Sequence, residues 1–209
     1  MGKDDQQIMV VDRAVLFKDT PFQGFMPLTD DSAPYLSTIL RNYRFMRRGD
    51  VEKNPEIQQP IPYIWIVNPV KKEVFAYRRA AGKSYNEARL RNKWSCGIGG
   101  HIDSGDAGKI ETPFMHAVMR ELREEVKMPE YSKPKLFGYL KDDSDPVNSV
   151  HFGLVSVLRT TGSVEKGDDE MAECGFFSIA DLEKLFADAQ NDIEKWTMIS
   201  WPYIRQSLR

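Results

Sequence analysis

Three glutamates near the middle of the chain could together hold a cation. Glu121, Glu124 and Glu125 lie in the segment RELREEV, and Thr112 followed by Pro113 upstream predicts the start of a helix. At about 100° per residue, the three side chains fall within about 100° of one another around that helix. Like charges at this spacing destabilise a bare helix by roughly a few tenths of a kcal/mol per pair. A positive group should therefore lie beside them.

Two kinds of positive group could compensate these glutamates. Arg120 stands four residues before Glu124 and could orient it, and together with Arg123 it could make the acids part of a solvated face. The alternative is Mg²⁺, a hard cation that prefers carboxylate oxygens and often bridges them to a phosphate. Gly99 and Gly100 favour the cation, because a backbone without Cβ atoms lets a ligand or another strand come close.

A run of basic residues precedes the glycines. Between residues 78 and 93 the charged side chains are basic except for Glu87. The run leads directly into the segment WSCGIGGHID, so it could line the same cleft as the acids. A solvated basic face is the alternative interpretation of this run.

The elements that must position these residues follow from hydrophobic patterning. The predicted strands lie at residues 8–17, 63–68, 73–80, 135–143, 148–160 and 173–179. The predicted helices lie at residues 33–48, 113–128, 181–189 and 192–208. Three prolines predict a loop at 48–62, and a turn at 69–72 predicts a hairpin. Strands before and after one central helix, with further helices at the end, predict an α/β/α sandwich with a mixed sheet.

The composition indicates one compact domain. The chain has 209 residues, of which 41% are hydrophobic, and we expect a single domain over 1–209 with helical additions at 33–48 and 191–209. The formal net charge of −2 excludes a global basic field that would hold nucleic acid or an anionic membrane. No apolar run approaches the roughly 18 residues that cross a bilayer. The N-terminus lacks the pattern of a secretion signal, so we expect a cytoplasmic protein.

The acidic helix and the glycines before it resemble the box of the Nudix hydrolases, G-x5-E-x7-R-E-U-x-E-E-x-G-U, in which U is a bulky aliphatic residue. The second half of the box is matched by Arg120, Glu121, Leu122, Glu124, Glu125 and Met128. After Gly100 the loop departs from the pattern, because Asp106 stands where the family has Glu and six extra residues precede the box arginine. Glu111 is the alternative loop acid, and Lys127 replaces the later glycine. The phrase GIGGHID resembles a MutT-like phosphoesterase branch of the family.

The resemblance implies a chemistry for these residues. Nudix enzymes cleave a nucleoside diphosphate linked to another group by attack of water on phosphorus, with Mg²⁺ or Mn²⁺ held by the box glutamates. The metal ligands and catalytic acids would be Glu121, Glu124 and Glu125. The backbone of Gly100 would shape the metal site, and Arg120 would orient a carboxylate for catalysis.

The resemblance also implies contacts to the phosphates of a substrate. Basic side chains of the run would offset charge that develops on the bridging oxygen. The candidates are Arg78, Arg79, Lys83 and Arg91. The general base would be a box glutamate or an acid of the loop at 165–173.

Three functions are compatible with these residues. The first is hydrolysis of a phosphoanhydride in a small nucleotide-type diphosphate, which involves neither nucleic acid nor membrane as a partner. The second is a Nudix-fold sensor or interaction module that binds a nucleotide ligand without turnover. The third, isomerisation of isopentenyl diphosphate, would need a Cys and Glu pair that we do not find in a suitable form. Family relatives often pair, so the resemblance is also compatible with a homodimer.

Overall fold

The structure is a computed structural model of the chain, and it describes residues 2–18, 21–29, 34–81, 90–108, 110–167 and 169–208. Its strands are β1 (Gln7–Asp12), β2 (Gly24–Pro27), β3 (Arg44–Arg47), β4 (Ile57–Asn68), β5 (Glu73–Arg79), β6 (Trp94–Ser95), β7 (Gly97–Ile98), β8 (Val126–Lys127), β9 (Lys135–Lys141), β10 (His151–Arg159), β11 (Glu165–Lys166) and β12 (Met171–Ser178). Its α-helices are α1 (Arg13–Phe17), α2 (Tyr35–Asn42), α3 (Arg48–Val51), α4 (Pro113–Glu125), α5 (Ile179–Ala187) and α6 (Lys195–Ser207). No helix within the described ranges is long and apolar enough to cross a membrane.

Most of the strands belong to one large mixed sheet, as the sequence predicts. Ten strands form it, and its main path runs β12-β5-β4-β10-β9-β2. β1 pairs with β4 and β3, while β6 pairs with β5 and β7 pairs with β4. β8 and β11 form a separate two-stranded ladder. The sheet and the helices confirm the predicted fold class.

The chain divides into two compact units. The first contains Met1–Tyr63, Gly99–Met119 and Leu136–Val155. The second contains Ile64–Ile98, Arg120–Lys135 and Ser156–Arg209. The single domain expected over 1–209, with helical additions at 33–48 and 191–209, stays a prediction.

One part of the core in the first unit is built on β1. This strand pairs with β3 in a register that places Ile8 opposite Met46. Ile8 and Val10 point to the same face, because successive side chains of a strand alternate. They pack with Val51, Ile57 and the partly buried Met46. Strand alternation therefore places the apolar face of β1 against α3 and the start of β4.

A second cluster in the first unit is aromatic. The rings of Phe17 and Phe152 meet edge to face with their centroids 5.7 Å apart, and those of Tyr35 and Tyr139 do so at 5.2 Å. Phe22 contacts both Tyr35 and Phe152. Such ring pairs contribute roughly 0.5–1.5 kcal/mol each beyond their burial. The cluster thus holds α1 and α2 against β9 and β10.

The second unit contains the hairpin of β4 and β5. The end of β4 pairs antiparallel with the start of β5, and the turn between them includes Lys72 at φ 55°. The side chain of Asn68 accepts hydrogen bonds from the backbone amides of Val70 and Lys71, both at 3.1 Å. These bonds fix the turn, and the predicted hairpin is confirmed.

Residues 13–17 form a helix, although the sequence predicts one strand over 8–17. β1 ends at Asp12, which is the last of its residues paired with β4. Leu16 and Phe17 are both buried in α1, whereas neighbours in a strand point to opposite faces. Burying both side chains requires the helical turn, so tertiary packing outweighs the β propensity of this segment.

The helix predicted at 33–48 is correct only as far as Asn42. α2 ends there, and the following residues form β3, which pairs with β1. The guanidinium groups of Arg44 and Arg47 lie 2.7 Å and 2.9 Å from the carboxylates of Asp12 and Asp5. Pairing with β1 and these ion pairs favour a strand over the helix that the local spacing predicts.

β4 begins inside the segment that the prolines predict as a loop, 48–62. It starts at Ile57 and includes both Pro60 and Pro62. Prolines cannot donate a hydrogen bond to a neighbouring strand, which is why they count against a strand in sequence. All residues of β4 are buried except the partly buried Ile61. Burial of the whole segment outweighs the breaker signal of the prolines.

The C-terminal helices form where the sequence predicts them, with shifted ends. α5 follows Ser178, whose hydroxyl accepts a hydrogen bond from the amide of Asp181. α6 contains Pro202 in its interior. Trp201 stacks on Trp65 with ring centroids 6.1 Å apart. This packing compensates the hydrogen bond that a proline removes from a helix.

A buried lysine holds the loop that follows β9 in the first unit. Lys141 is fully buried. Its Nζ donates to the backbone carbonyls of Asn148, Ser149 and His151 at 3.1, 2.8 and 3.1 Å, and it lies 2.9 Å from Oδ1 of Asp143. A buried charge is tolerated when it is paired and hydrogen-bonded. The loop thus closes over the lysine.

Asp143 is the charged partner at the centre of this cluster. Its Oδ2 also accepts a hydrogen bond from Arg13 at 2.8 Å. Burial alone would raise the pKa of Asp143, but the hydrogen bonds from Arg13 and Lys141 outweigh burial and lower the pKa to about 2. Because the folded-state pKa lies below the ordinary value of 3.8, ionised Asp143 stabilises the fold above that value, and the contribution is lost as the pH falls through about 2.

We predict that Asp143→Asn lowers the free energy of unfolding at pH 7 by roughly 1–3 kcal/mol, because hydrogen bonds to a charged group are lost. The difference from the wild-type protein should shrink between about pH 4 and pH 2, as Asp143 becomes protonated in the wild type. Urea unfolding across this pH range measures it. Asp192→Asn is a control, since Asp192 itself is exposed and its ion pair with the partly buried Lys93 should contribute less than about 1 kcal/mol. A constant difference at every pH would contradict the role of Asp143.

Candidate functional site

The acidic helix starts where the sequence predicts. α4 begins at Pro113, and the hydroxyl of Thr112 accepts a hydrogen bond from the amide of Met115 at 3.3 Å. The threonine therefore satisfies an amide that has no partner inside the helix. The start of α4 is set by these adjacent residues, which explains why a local signal suffices to predict it.

The three glutamates of α4 differ in their exposure. Leu122 is buried, which directs one side of the last turns into the core. Glu121 is also buried, with only 8% of its surface exposed, whereas Glu124 is exposed and Glu125 lies between these extremes. A carboxylate as buried as that of Glu121 needs a charged or hydrogen-bonding partner.

Arg120 lies between two of these carboxylates. Its Nη1 is 2.7 Å from Oε1 of Glu121 and 3.2 Å from Oε2 of Glu124. The contact with Glu124 is the predicted pair at a spacing of four residues. The contact with Glu121 is not predicted by helical spacing, because adjacent residues do not face each other on a helix. It depends on the long arginine side chain folding back over its own turn.

The acids fit a divalent cation by their chemistry, although Arg120 engages two of them here. Carboxylate oxygens are the ligands that Mg²⁺ prefers, and Glu121, Glu124 and Glu125 lie on the last two turns of one helix. Within the part of the chain that the structure describes, no three Asp, Glu, His or Cys side chains form a group that could hold a metal ion. A cation at Glu121 or Glu124 would have to compete with Arg120 for the carboxylate oxygens.

α4 ends earlier than the sequence predicts. The helix was expected to continue to 128, but it stops at Glu125, and Val126 and Lys127 form β8. These two residues pair antiparallel with Lys166 and Glu165 of β11. Backbone pairing with a strand distant in sequence thus ends the helix. The local sequence does not predict this end, because Lys127 stands where the box has its glycine. The acid-containing segment at 165–167 lies beside the last turn of α4.

In the first unit, Gly99 lies against the backbone of Pro62, and the side chain of Asp106 is hydrogen-bonded. A Cβ atom on Gly99, whose φ is +155°, would lie 1.8 Å from the carbonyl oxygen of Pro62. Asp106 is buried, and its Oδ2 accepts a hydrogen bond from the amide of Asp103 at 3.1 Å. The carboxylate of Asp103 in turn accepts one from the amide of Gly105 at 2.7 Å. The glycine permits close approach of another strand, and the aspartates cap a short 3₁₀ turn.

The other loop residues singled out by sequence are more exposed. Gly100 is partly buried, and Glu111 is exposed. Their roles in a metal site, like that of Asp106, stay predictions.

Arg79 is part of a buried network in the second unit. Its Nε forms an ion pair with Oε1 of Glu194, and both side chains are largely buried, with 11% and 8% of their surfaces exposed. The other oxygen of Glu194 accepts a hydrogen bond from the hydroxyl of Ser95 at 2.7 Å. The guanidinium group also lies over the ring of Tyr77, 5.2 Å from its centroid. The network ties β5 and β6 to the residue that precedes α6.

Sequence reasoning assigned no role to Glu194 or to Ser95, although Ser95 lies in the segment WSCGIGGHID. Glu194 is separated from Arg79 by 115 residues. No spacing in the sequence links the two residues to Arg79, so only the fold brings them together.

The other basic candidates differ from Arg79. Arg78 lies 3.2 Å from the carboxylate of Glu173, and both side chains are substantially exposed. Arg91 is partly buried. Lys83 lies outside the described residues. Contacts of these arginines and of Lys83 with a phosphate stay predictions.

We predict that Arg79→Met lowers the free energy of unfolding by about 3 kcal/mol, because it leaves the buried Glu194 without its ionic partner. Arg78→Met is the matched control, and the loss there should stay below about 1 kcal/mol since its pair is exposed. Urea unfolding at pH 7 compares the two variants. Equal losses would contradict a structural role for the Arg79 pair.

Comparison with known proteins gives a consistent result. The model of the NUDIX domain matches residues 58–201 of the chain. The chain is also similar to Protein YmaB of Bacillus subtilis (strain 168), with 36% identity over 205 residues that cover 94% of this chain and 96% of that protein.

Two solved structures share the fold. The chain is similar to Tm1382, a Nudix hydrolase candidate, with a TM-score of 0.77 and 24% identity over 97% of this chain and 100% of that chain. It is also similar to a bifunctional NMN adenylyltransferase/ADP ribose pyrophosphatase from Francisella tularensis complexed with AMP and a Mn ion. That match has a TM-score of 0.50 and 12% identity, and it covers 73% of this chain and 42% of the other. At these identities the likeness concerns the fold.

Proposed function

The chain belongs to the NUDIX domain family, and from this membership we propose that it is a metal-dependent hydrolase of a phosphoanhydride in a nucleoside diphosphate linked to another group. The observation that carries the proposal is the arrangement on α4. Arg120 contacts Glu121 and Glu124, and Glu125 completes the set at the end of the helix. The arginine and the three glutamates stand in the same order as in the Nudix box.

The glutamates would hold the cation, and Arg120 would orient them. Glu121 is the most fixed of the three, because it is buried and its carboxylate is held by Arg120. Glu124 is exposed and bound by the same guanidinium group, so it is freer to turn toward a ligand. When bound, Mg²⁺ or Mn²⁺ would neutralise charge on phosphate oxygens and activate water for attack on phosphorus.

The complex of the Francisella tularensis protein with AMP and a Mn ion supports the choice of a nucleotide and a divalent cation as ligands. Arg78, whose side chain is more accessible, is better suited than Arg79 to contact a phosphate, since the charge of Arg79 is already matched by buried Glu194. A cytoplasmic location and a homodimer belong to the same proposal.

The proposed function can be tested with a substrate panel. Nucleoside triphosphates, nucleotide sugars, dinucleotides and dinucleoside polyphosphates would be incubated with the protein and Mg²⁺, and released phosphate and pyrophosphate would be measured. We expect turnover of at least one class, and its loss when EDTA removes the metal. Tight nucleotide binding by calorimetry without any turnover would instead support a sensor that binds but does not hydrolyse.

We predict that Glu125→Gln lowers kcat by about 100-fold or more while the protein stays folded, because a neutral amide is a much poorer ligand for a hard cation. The measurement is the initial rate with the best substrate of the panel at saturating Mg²⁺, with circular dichroism as the check of folding. Glu130→Gln is the matched control, since Glu130 is exposed and lies beyond the end of α4. Near-normal turnover in Glu125→Gln would remove Glu125 from the reaction.

A further inference from the structure

We propose that Gly167 is a positioning residue that fixes the last turn of α4 and thereby the backbone from which Glu124 and Glu125 extend their carboxylates. This inference rests on the proposed function, because it assigns a role toward the cation that those glutamates would hold. Gly167 lies just after β11, in the loop whose acids the sequence singles out.

The first observation is the close approach of two backbones. A Cβ atom on Gly167 would lie 2.6 Å from the carbonyl oxygen of Glu124, 2.9 Å from the carbonyl carbon of Glu125 and 2.9 Å from the amide nitrogen of Val126. Real Cβ atoms essentially never come within 3.0 Å of such atoms. All three contacts are to backbone, so no side chain can rotate to make room. A residue with a side chain at 167 would displace the end of the helix.

The second observation is a hydrogen bond that completes the helix. The amide of Gly167 donates to the carbonyl oxygen of Glu125 at 2.8 Å. The last carbonyls of an α-helix have no partner within the helix, so this bond satisfies one of them from another part of the chain. The pairing of β8 with β11 continues directly from it, with Lys166 opposite Val126 and Glu165 opposite Lys127.

The third observation is how this helix ends. Many helices end on a glycine in the left-handed conformation. Residues 126–129 of this chain contain no residue with positive φ, and Lys127 stands where the box has its glycine. Gly167, which lies 40 residues after Lys127 in the sequence, contacts the helix end in place of a local glycine. Glu124 and Glu125 therefore depend on a second segment for their position.

Gly167→Ala tests the proposal, with Gly175→Ala as the matched control. A Cβ atom on Gly175, in β12 of the same unit, would meet no atom within 4 Å. Two measurements are made on the folded full-length proteins. Hydrogen exchange reports the order of the amides at 124–127, and Mn²⁺ titration followed by electron paramagnetic resonance reports the affinity for the cation alone.

We predict that Gly167→Ala speeds exchange at 124–127 and weakens Mn²⁺ binding by about tenfold or more, the loss typical of a residue that orients a metal ligand. Gly175→Ala should change neither quantity. A folded Gly167→Ala protein with wild-type exchange at 124–127, or with wild-type Mn²⁺ affinity, would overturn the proposal. A purely structural glycine would lower stability without changing the Mn²⁺ affinity of the folded protein.

Two further measurements separate the possible outcomes: one uses an ester variant, and the other uses the wild-type protein. If Gly167→Ala does not fold, replacement of the Gly167 amide by an ester removes the donor to Glu125 without adding a Cβ atom, and the same loss of Mn²⁺ affinity is expected. Unchanged affinity in the ester would overturn the proposal. Failure of the proposed function is distinguishable, because there the wild-type protein itself would bind no Mn²⁺ at millimolar concentration.

Discussion

Carboxylates that lie together on one helix, one of them buried, need a fixed counter-charge, and the end of α4 is built around this constraint. Glu121 is largely removed from water, and Arg120 lies between it and Glu124. The cost of desolvating a carboxylate is several kcal/mol unless a partner offsets it. The guanidinium group offsets it from within the same helix, so α4 can carry three acids on its last turns and still pack its apolar side.

The same constraint governs the basic residues of the second unit. Arg79 is buried only together with Glu194, which Ser95 also contacts. A cation matched in this way contributes little net field toward solvent, because its partner cancels most of it. The two adjacent arginines of the basic run therefore lie in different environments. Arg79 joins β5 to the residue before α6, whereas Arg78 pairs with Glu173 where both side chains reach solvent.

Local signals predicted the parts of the fold that local physics determines. Thr112 caps α4 by itself, and the turn at Asn68 needs only its neighbours, so both were visible in the sequence. The helix at 13–17 and the strand through Pro60 were not visible, since burial against distant residues decides them. The acids of α4 could be named from their spacing. The backbone contacts at the end of that helix, made by Gly167, which lies 42 residues beyond Glu125, depend on strand pairing that no helical pattern encodes.

Lys141 has a consequence for the reactivity of the protein. Its amine is fully buried and donates to three backbone carbonyls beside Asp143. An ammonium group held in this way exposes no lone pair to a reagent, so acylating agents that modify surface lysines cannot reach it in the folded first unit. Modification at position 141 therefore requires local opening of the structure around the amine. The rate at which Lys141 is acylated thus reports how often this part of the chain opens.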